Sequence, residues 1–245
     1  MNTFPDLDRL KATLDHHRPL DPAIVRNLRE DLIVRWTDHS NAIEGNTLTL
    51  QETKVALEGI TIGGKSIREH LEAVNHKNAI LLLEDLVQKN EPLTEWTIKS
   101  LHQLILKGID DDNAGRYRSL AFRDGCGQSY ETVIPAWLDS LDESRPAEHP
   151  VANAALIHQE VTRTNPFGTR DGVLARLLMN LELMKAGYPP AIVTVAMREA
   201  YYRVLDADHK FAQKEPFVNM VCRLVTEGFR PYFHALGLPW EEDKT

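Results

Sequence analysis

The chain has 245 residues, of which 42% are apolar and 26% are charged. These proportions are those of a globular protein with a substantial core, and they exclude a disordered chain. The 36 acidic side chains outnumber the 28 basic ones and give a net charge of −8. A negative net charge does not favour nonspecific binding to the phosphate backbone, so nucleic acid is not the first hypothesis for the partner.

The N-terminal residues and the cysteines indicate in which cellular compartment the protein is expected. The N-terminal residues lack the basic and apolar regions of a signal peptide, and no apolar run approaches the roughly 20 residues that a membrane span needs. Cys126 and Cys222 lie far apart and outside any metal-ligand spacing, so a disulfide framework is excluded. We therefore expect a cytoplasmic protein that has neither nucleic acid nor a membrane as its partner.

Apolar residues recur at helical spacing along most of the chain. Pro22 and Pro150 are placed to begin helices, Ser66 and Glu69 form a capping box, and Gly187 is placed to end a helix. The helices that this pattern predicts include, in chain order, residues 7–14, 22–36, 66–87, 96–105, 150–157, 174–184, 201–205 and 217–224.

Residues 115–134 are the exception to this helical pattern. Short apolar runs lie on both sides of a Gly-Cys-Gly turn at 125–127, and the second run contains Tyr130 and Val133. This pattern predicts two short strands joined by a turn. A lone hairpin cannot bury itself, so it must lie against the helices as a flap. With no repeat or linker in the sequence, we predict one all-α domain, residues 1–245, with a single short β-hairpin flap.

Two polar segments are candidates for a functional site. In residues 40–46 (Ser-Asn-Ala-Ile-Glu-Gly-Asn), the first Ser and the Glu share one face of a helix that the Gly ends, although an ordinary helix end with a solvated Glu also fits. Residues 165–172 (Asn-Pro-Phe-Gly-Thr-Arg-Asp-Gly) form a polar loop that leads into a helix N-terminus, where backbone N–H groups attract an anion. An ordinary connection between two helices also fits this second segment.

Together these segments resemble the Fic family, whose members have the Fido fold. The segments that carry the resemblance are the S-x-x-x-E-G-N inhibitory motif at 40–46, the start of the target-binding flap at 115–118, and the helix that follows the active-site loop, at 176–190. The resemblance extends over residues 20–235. It implies a Fido-fold helical bundle with its active-site loop at residues 165–176.

Members of the family transfer AMP from ATP to a protein hydroxyl with the loop H-P-F-x-D/E-G-N-G-R-x-x-R, and this chain departs from it at five positions. Asn165 replaces the general-base His, Thr169 the carboxylate that would hold Mg²⁺, Arg170 a Gly, Asp171 an Asn and Val173 the first Arg. Loss of a general base costs roughly 10²–10⁴-fold in rate. A carboxylate about 4 Å from a phosphate repels it and makes binding of the phosphate less favourable by on the order of 4 kcal/mol. We therefore expect ordinary ATP-dependent AMP transfer to be absent or very weak.

The resemblance and these departures lead us to interpret the chain as a re-purposed Fic-type enzyme that acts on an anionic small molecule or modified group without Mg²⁺ or another cofactor. Arg170 and Arg176 would bind the anion, and Asp171 would act as a base or hold a cationic group. Asn165 and Thr169 would hydrogen-bond the reacting atoms. Two alternatives stay open: a catalytically inactive binding or regulatory protein that takes a protein target at the flap, and weak residual AMP transfer.

Three residues next to the loop complete the candidate set. Gly172 and Asn180 are predicted to contact the ligand. His158 lies seven residues before Asn165 on the preceding helix, and it is either a structural hydrogen-bonding residue or a substitute base. No residue is predicted to bind a metal ion.

The inhibitory motif is expected to contact the loop. In the family the inhibitory Glu pairs with the second Arg of the loop, so the resemblance implies a partly buried ion pair between Glu44 and Arg176. The other motif residues, Ser40, Gly45 and Asn46, are then expected to have a regulatory or structural role.

The remaining histidines and the first cysteine carry no functional pattern. His70, His76, His102 and His149 show no metal-ligand spacing, and we interpret them as surface or cap residues. Cys126 is interpreted as an incidental thiol because no base accompanies it. An apolar helical face could support a homodimer.

Overall fold

The computed structural model describes residues 3–119, 129–144, 147–211 and 213–240. Within these residues the chain forms a 3-10 helix at Val195–Met197, no strand, and ten α-helices. The α-helices are α1 (Phe4–His16), α2 (Pro22–Ile43), α3 (Leu50–Leu57), α4 (Ile67–Gln88), α5 (Glu95–Leu106), α6 (Tyr130–Ser144), α7 (Pro150–Thr164), α8 (Asp171–Lys185), α9 (Arg198–Phe211) and α10 (Glu215–Ala235). The predicted all-α class is confirmed. None of the described helices is long and apolar enough to cross a membrane.

Local sequence signals explain most of the helix ends. α2 begins at Pro22, where the missing N–H costs nothing, and Asp21 caps it by accepting a backbone N–H at 2.7 Å. α4 follows the predicted capping box, in which the Ser66 hydroxyl accepts the N–H of Glu69 at 3.2 Å. α8 ends just before Gly187, which has a φ of 83°. These three predictions are confirmed.

The sequence pattern did not predict α3. This helix begins at a second capping box, in which Glu52 and Thr49 exchange hydrogen bonds between side chains and backbone N–H groups. It has only eight residues, which is too short for an apolar period to stand out.

The predicted second strand of the hairpin is wrong. Tyr130 and Val133 lie in α6. The buried side chains after Tyr130 continue at Ile134, Leu138 and Leu141, and the final step of three residues lies on one face in a helix but on opposite faces in a strand. A short apolar run is ambiguous between strand and helix, and here the longer period decided the outcome. The rest of the predicted hairpin, including Cys126, lies outside the described residues.

α8 is the central helix because the core packs on both of its sides. Leu174 and Leu178 belong to the apolar cluster that α8 forms with α2, α4, α5, α6 and α7. Met179 and Leu183 belong to the cluster that it shares with α1, α7, α9 and α10. A helix that is apolar all round must be buried. Since α7 packs along α8, the loop at 165–170 is anchored at both ends by buried helices.

Leu83 tests the packing of α4. Its side chain is fully buried, whereas Leu81 on the same helix is 37% exposed. We expect Leu83→Ala to lower the free energy of unfolding by about 2–5 kcal/mol because it leaves a cavity, and the control Leu81→Ala to change it by about 0.5 kcal/mol or less. Urea denaturation measures both values, and equal losses would contradict this placement of α4.

Candidate functional site

The C-terminal end of α2 meets the first turns of α8 around one buried guanidinium. Arg176, on α8, is 2% exposed. Its Nη2 donates to Glu44 Oε1 at 3.0 Å and to the carbonyl of Ser40 at 2.9 Å, and its Nε donates to the hydroxyl of Ser40 at 3.1 Å. The ion pair expected between Glu44 and Arg176 is thus present. Gly45 has a φ of 96° and turns the chain away as α2 ends, in keeping with its predicted role.

Two further residues, Tyr201 on α9 and His158 on α7, support this guanidinium. Arg176 Nη1 donates to the hydroxyl of Tyr201 at 3.2 Å. That hydroxyl shares a 2.8 Å hydrogen bond with Nε2 of His158, which is fully buried and stacks on Phe217. Burial raises the pKa of Tyr201 to about 12, so its hydroxyl stays neutral. His158 is therefore a buried hydrogen-bonding residue, the first of the two roles expected for it, and it does not reach the loop as a base.

Gly172 gives Glu44 room to reach Arg176. A Cβ atom at position 172 would lie 2.7 Å from Glu44 Oε1 and 3.4 Å from Arg176 Nη1. The first distance is too short for any Cβ contact, and the second lies at the lower limit of ordinary van der Waals contact. Gly172 lies against Glu44 and Arg176 of its own chain, and its contact with a ligand stays a prediction.

The loop between α7 and α8 is bounded by two residues in the left-handed region. Asn165 ends α7 with a φ of 48°, and Arg170 precedes α8 with a φ of 58°. Asn tolerates this conformation, whereas for Arg it costs on the order of 1 kcal/mol. The Asn165 side chain is partly exposed and makes no hydrogen bond within the described part of the chain. Its role at the reacting atoms stays a prediction.

Arg170 does not face an open anion site. Its Nη2 forms an ion pair with Glu72 Oε1, on α4, and both side chains are largely buried. Glu72 also accepts from Arg68 Nε at 3.1 Å and from Asn46 Nδ2 at 2.9 Å. Arg170 is thus paired with a carboxylate of its own chain, and its anion-binding role stays a prediction. Asn46 connects residues 40–46 to the loop through Glu72.

Asp171 closes the loop instead of projecting from it. Its Oδ1 accepts the N–H of Phe167 at 3.2 Å, while its Oδ2 is buried and has no hydrogen-bond partner among the described residues. Burial raises the pKa of Asp171 to about 7, against the lowering effect of the N–H groups of Phe167 and Gly168 and of the Arg118 charge, and with a further raising effect from Glu44. One of its oxygens is therefore engaged by the loop's own backbone, and its role as a base or as the partner of a cationic group stays a prediction.

His102 was missed as a site residue. Its Nδ1 accepts the N–H of Gly115 at 3.0 Å, so the proton is on Nε2, which donates to the carbonyl of Thr169 at 3.0 Å. The ring stacks on Phe167, and burial lowers its pKa to about 4, so it stays neutral. The interpretation of His102 as a surface or cap residue is wrong. Its place on the apolar face of α5, four residues after Ile98, was the available signal.

The other residues that sequence reasoning considered near the site have structural contacts. Asn180 was predicted to bind a ligand, but it is fully buried and clamps the backbone of Ala191 through two hydrogen bonds of 2.7 and 3.2 Å. His76 is buried, which corrects its surface assignment. His149 caps α7, as predicted, and its Nε2 lies 3.2 Å from Asp8 Oδ1.

Arg118 holds the start of the predicted flap against the loop. Its backbone N–H donates to the carbonyl of Pro166 at 3.0 Å, and its guanidinium donates to the hydroxyl of Tyr130 at 2.6 and 3.0 Å. A Cβ atom at Gly168 would lie 3.2 Å from the Arg118 side chain.

The described residues contain no group of three or more His, Cys, Asp or Glu side chains placed to hold a metal ion.

The raised pKa of Asp171 predicts a pH-dependent stability. A carboxyl whose pKa rises from its ordinary value of 3.8 to about 7 on folding stabilises the protein at low pH, and this contribution is lost as pH rises from about 4 through 7. We expect Asp171→Asn, which keeps the acceptor and removes the charge, to exceed wild type in unfolding free energy by up to about 4 kcal/mol at pH 8 and to converge with it near pH 4.

Urea denaturation from pH 4 to 8 measures this difference, with Asp112→Asn as a control at an exposed turn. A difference between Asp171→Asn and wild type that does not change with pH would contradict the burial of Asp171.

The contact of Gly172 with Glu44 predicts a change of sign in a double-mutant cycle. We expect Gly172→Ala to destabilise the wild type by about 1–2 kcal/mol because its methyl group displaces Glu44 from Arg176. In the Glu44→Ala background the same change should stabilise by up to about 1 kcal/mol, since Ala favours a helix over Gly. Equal effects of Gly172→Ala in the two backgrounds, measured by urea denaturation, would rule out the contact.

Comparison with known proteins places this geometry in a family. The model of the Fic/DOC family matches residues 92–183, which include the loop. Protein adenylyltransferase fic-1 of Caenorhabditis briggsae is 32% identical over 248 residues, covering 96% of this chain and 47% of that protein. Protein adenylyltransferase Fic of Nematostella vectensis is 37% identical over 194 residues, covering 76% and 45%. The chain thus spans a little under half the length of these curated relatives.

Solved structures agree with the sequence comparison. Fic-1 of C. elegans superimposes with a TM-score of 0.84 at 28% identity, covering 96% of this chain and 72% of that chain. A single-substitution variant of the same protein gives a TM-score of 0.83 at 30% identity, covering 95% and 71%. A Fic domain containing signaling protein of Bacteroides thetaiotaomicron gives 0.79 at 26% identity, covering 96% and 99%. The sequence identity and the shared fold together show that this chain belongs to the Fic/DOC family.

Proposed function

We propose that this Fic-family chain does not catalyse ordinary Mg²⁺-dependent transfer of AMP from ATP, and that it acts as a binding or regulatory protein whose loop is held closed by its own side chains. The observation that carries the proposal is the position of Asp171. Its carboxylate lies within the loop and accepts the backbone N–H of Phe167, which would otherwise face an anion.

The charges around the loop support this proposal. Three guanidinium groups lie near it, and each is already engaged within the chain: Arg118 with the hydroxyl of Tyr130, Arg170 with Glu72, and Arg176 with Glu44. A triphosphate would have to compete with carboxylates for two of these three cations. Breaking a buried ion pair leaves an uncompensated charge, at a cost of about 3–5 kcal/mol.

The residues present also do not fit a Mg²⁺-bound nucleotide. Thr169 stands where the family has a carboxylate ligand, and its carbonyl oxygen accepts a hydrogen bond from His102. A neutral hydroxyl is a weak ligand for Mg²⁺, which binds carboxylates and phosphates. Asn165 offers an amide where the family has a His, and an amide does not accept a proton at neutral pH. The metal ligand and the base of AMP transfer are both replaced.

The comparison with relatives limits which functions can be assigned to this chain. The curated relatives are named as protein adenylyltransferases, and the chain spans under half of their length. The loop pattern that the resemblance implies for AMP transfer contains residues that this chain has replaced. We place a protein partner at the start of the predicted flap, residues 115–119, because His102 and Arg118 fix this segment to the loop.

A re-purposed enzyme is the second candidate, and one observation favours it. Asp171 Oδ2 has no hydrogen-bond partner among the described residues, and the pKa of this carboxyl is about 7. Such a group can exchange a proton at neutral pH, which is what a general acid or base requires. In this function Asp171 would transfer a proton to or from a small anionic substrate without a metal ion. Arg176 or Arg170 would release the carboxylate of its own chain and bind the anionic group of the substrate instead.

AMP transfer is tested with labelled ATP and Mg²⁺ in the presence of a cell lysate. We expect no labelling by the wild type, because both the base and the metal ligand are replaced. The matched gain-of-function variant restores the family loop through Asn165→His, Thr169→Asp, Arg170→Gly, Asp171→Asn and Val173→Arg, and it also carries Glu44→Ala to remove the contact with Arg176. This variant should label at least about 10²-fold more strongly than wild type.

Glu44→Ala in the otherwise unchanged chain separates a missing activity from an inhibited one. Its loop stays as in wild type while the contact with Arg176 is removed, so the proposal expects no labelling by this variant either. Labelling by wild type or by Glu44→Ala would overturn the proposal. A thermal-shift screen with phosphates and carboxylates addresses the second candidate: a rise in melting temperature that Arg176→Ala abolishes would favour the enzyme over the binding protein.

A further inference from the structure

A cavity of about 380 Å³ lies between α2, the segment at 190–197 and α10. None of its lining residues belongs to the loop or to the contacts of Arg176 described above. Its volume falls within the range of about 300–1,000 Å³ that is typical of small-molecule sites. The cavity is therefore a separate feature of the fold that the Fic loop does not explain.

One face of α2 forms a wall of this cavity. Leu28, Leu32, Arg35 and His39 line it, and their spacing of four, three and four residues places them along one side of the helix. The two leucines are only partly buried by the rest of the chain. Two neighbouring leucines left partly open toward a cavity favour an apolar occupant.

The opposite side of the cavity is also mainly apolar. Ile192 and Met197 line it from the segment before α9, and Leu224, Pro190 and Pro231 complete its apolar lining. Leu224 is only 6% exposed and belongs to the core of α10. An occupant therefore meets aliphatic side chains from three separate segments, which suits an aliphatic chain.

The charged groups at the edge favour a negative head group. The Arg35 side chain is 36% exposed and the Arg230 side chain 40% exposed, so both lie near solvent. The carboxylate that also lines the cavity, Glu227, lies 4.0 Å from Arg230, and Arg35 is paired with Asp31 outside the lining. Burial lowers the pKa of His39, so this ring adds no charge at neutral pH. Among the lining residues two guanidinium groups face one carboxylate, and the pair of Arg35 with Asp31 is exposed, so it contributes little and leaves Arg35 able to bind a second carboxylate.

We propose that this cavity binds a small amphipathic carboxylate, with its aliphatic chain between Leu28, Leu32 and Leu224 and its carboxylate at Arg35 and Arg230. Cationic side chains above an apolar site select an anionic amphiphile over a neutral or cationic one. The site and its ligand class do not depend on whether the loop transfers AMP.

The occupant would contact the helix that carries the inhibitory motif. His39 lines the cavity and directly precedes Ser40, whose hydroxyl and carbonyl hold Arg176. The occupant would therefore lie next to the segment that holds Arg176.

Calorimetric titration of the whole chain with three probes of equal chain length tests the ligand class. The probes are decanoate, decanol and decyltrimethylammonium, each below its micelle concentration. We expect decanoate to bind at one site and the cationic probe to bind at least about tenfold more weakly. Equal binding of all three probes, or no binding of decanoate, would overturn the proposal.

Two substitutions on α2 test the location. Leu32→Trp fills the cavity and should weaken decanoate at least about tenfold, whereas the control Val25→Trp, at an exposed position of the same helix, should leave its affinity unchanged. If Leu32→Trp does not fold, the pair Arg35→Met and Arg230→Met decides: these should weaken decanoate and leave decanol unaffected. Unchanged decanoate binding in the variants that fold would place its site elsewhere. No titration contains ATP, so its result is independent of the labelling experiment.

Discussion

The buried charge of Arg176 is the constraint around which the site is organised. A guanidinium that is 2% exposed is tolerated only with several partners, because an isolated buried charge is very unfavourable. Those partners come from two separate helices: Ser40 and Glu44 from α2, and Tyr201 from α9. The requirement to satisfy one guanidinium therefore fixes where α2 ends against the first turns of α8, and Gly172 is the residue that permits the close approach.

The loop that follows α7 is held by contacts within the chain on every side that the structure describes. Asp171 holds its backbone from within, Arg170 ties it to Glu72 on α4, and His102 ties it to α5. Arg170 keeps a left-handed conformation, which is strained for a residue with a side chain, and its buried ion pair with Glu72 offsets that strain. Arg170 and Asp171 thus have internal partners, which is the physical basis for proposing a binding or regulatory role in place of nucleotide chemistry.

Helix positions were predictable because their signals are local. A capping Ser or Asp, a Pro in the first turn and a Gly after the last turn act within four residues of one another, so Pro22, Ser66 and Gly187 could be read directly from the chain. The prediction was wrong at Tyr130 because a run of a few apolar residues fits a strand and a helix equally well. Only the packing of the longer period against the core decides between them.

By itself the sequence determined the helical class, the resemblance to the Fic family and, through that resemblance, the pairing of Glu44 with Arg176. Only the tertiary structure decided the direction of the other polar side chains. Arg170 and Glu72 form an ion pair although they are 98 positions apart in the chain, and the Asn180 side chain forms its hydrogen bonds with the backbone of Ala191. A charged or amide side chain points toward the partner that best compensates its burial, and that partner is brought close by packing between distant segments, which no local pattern of residues encodes.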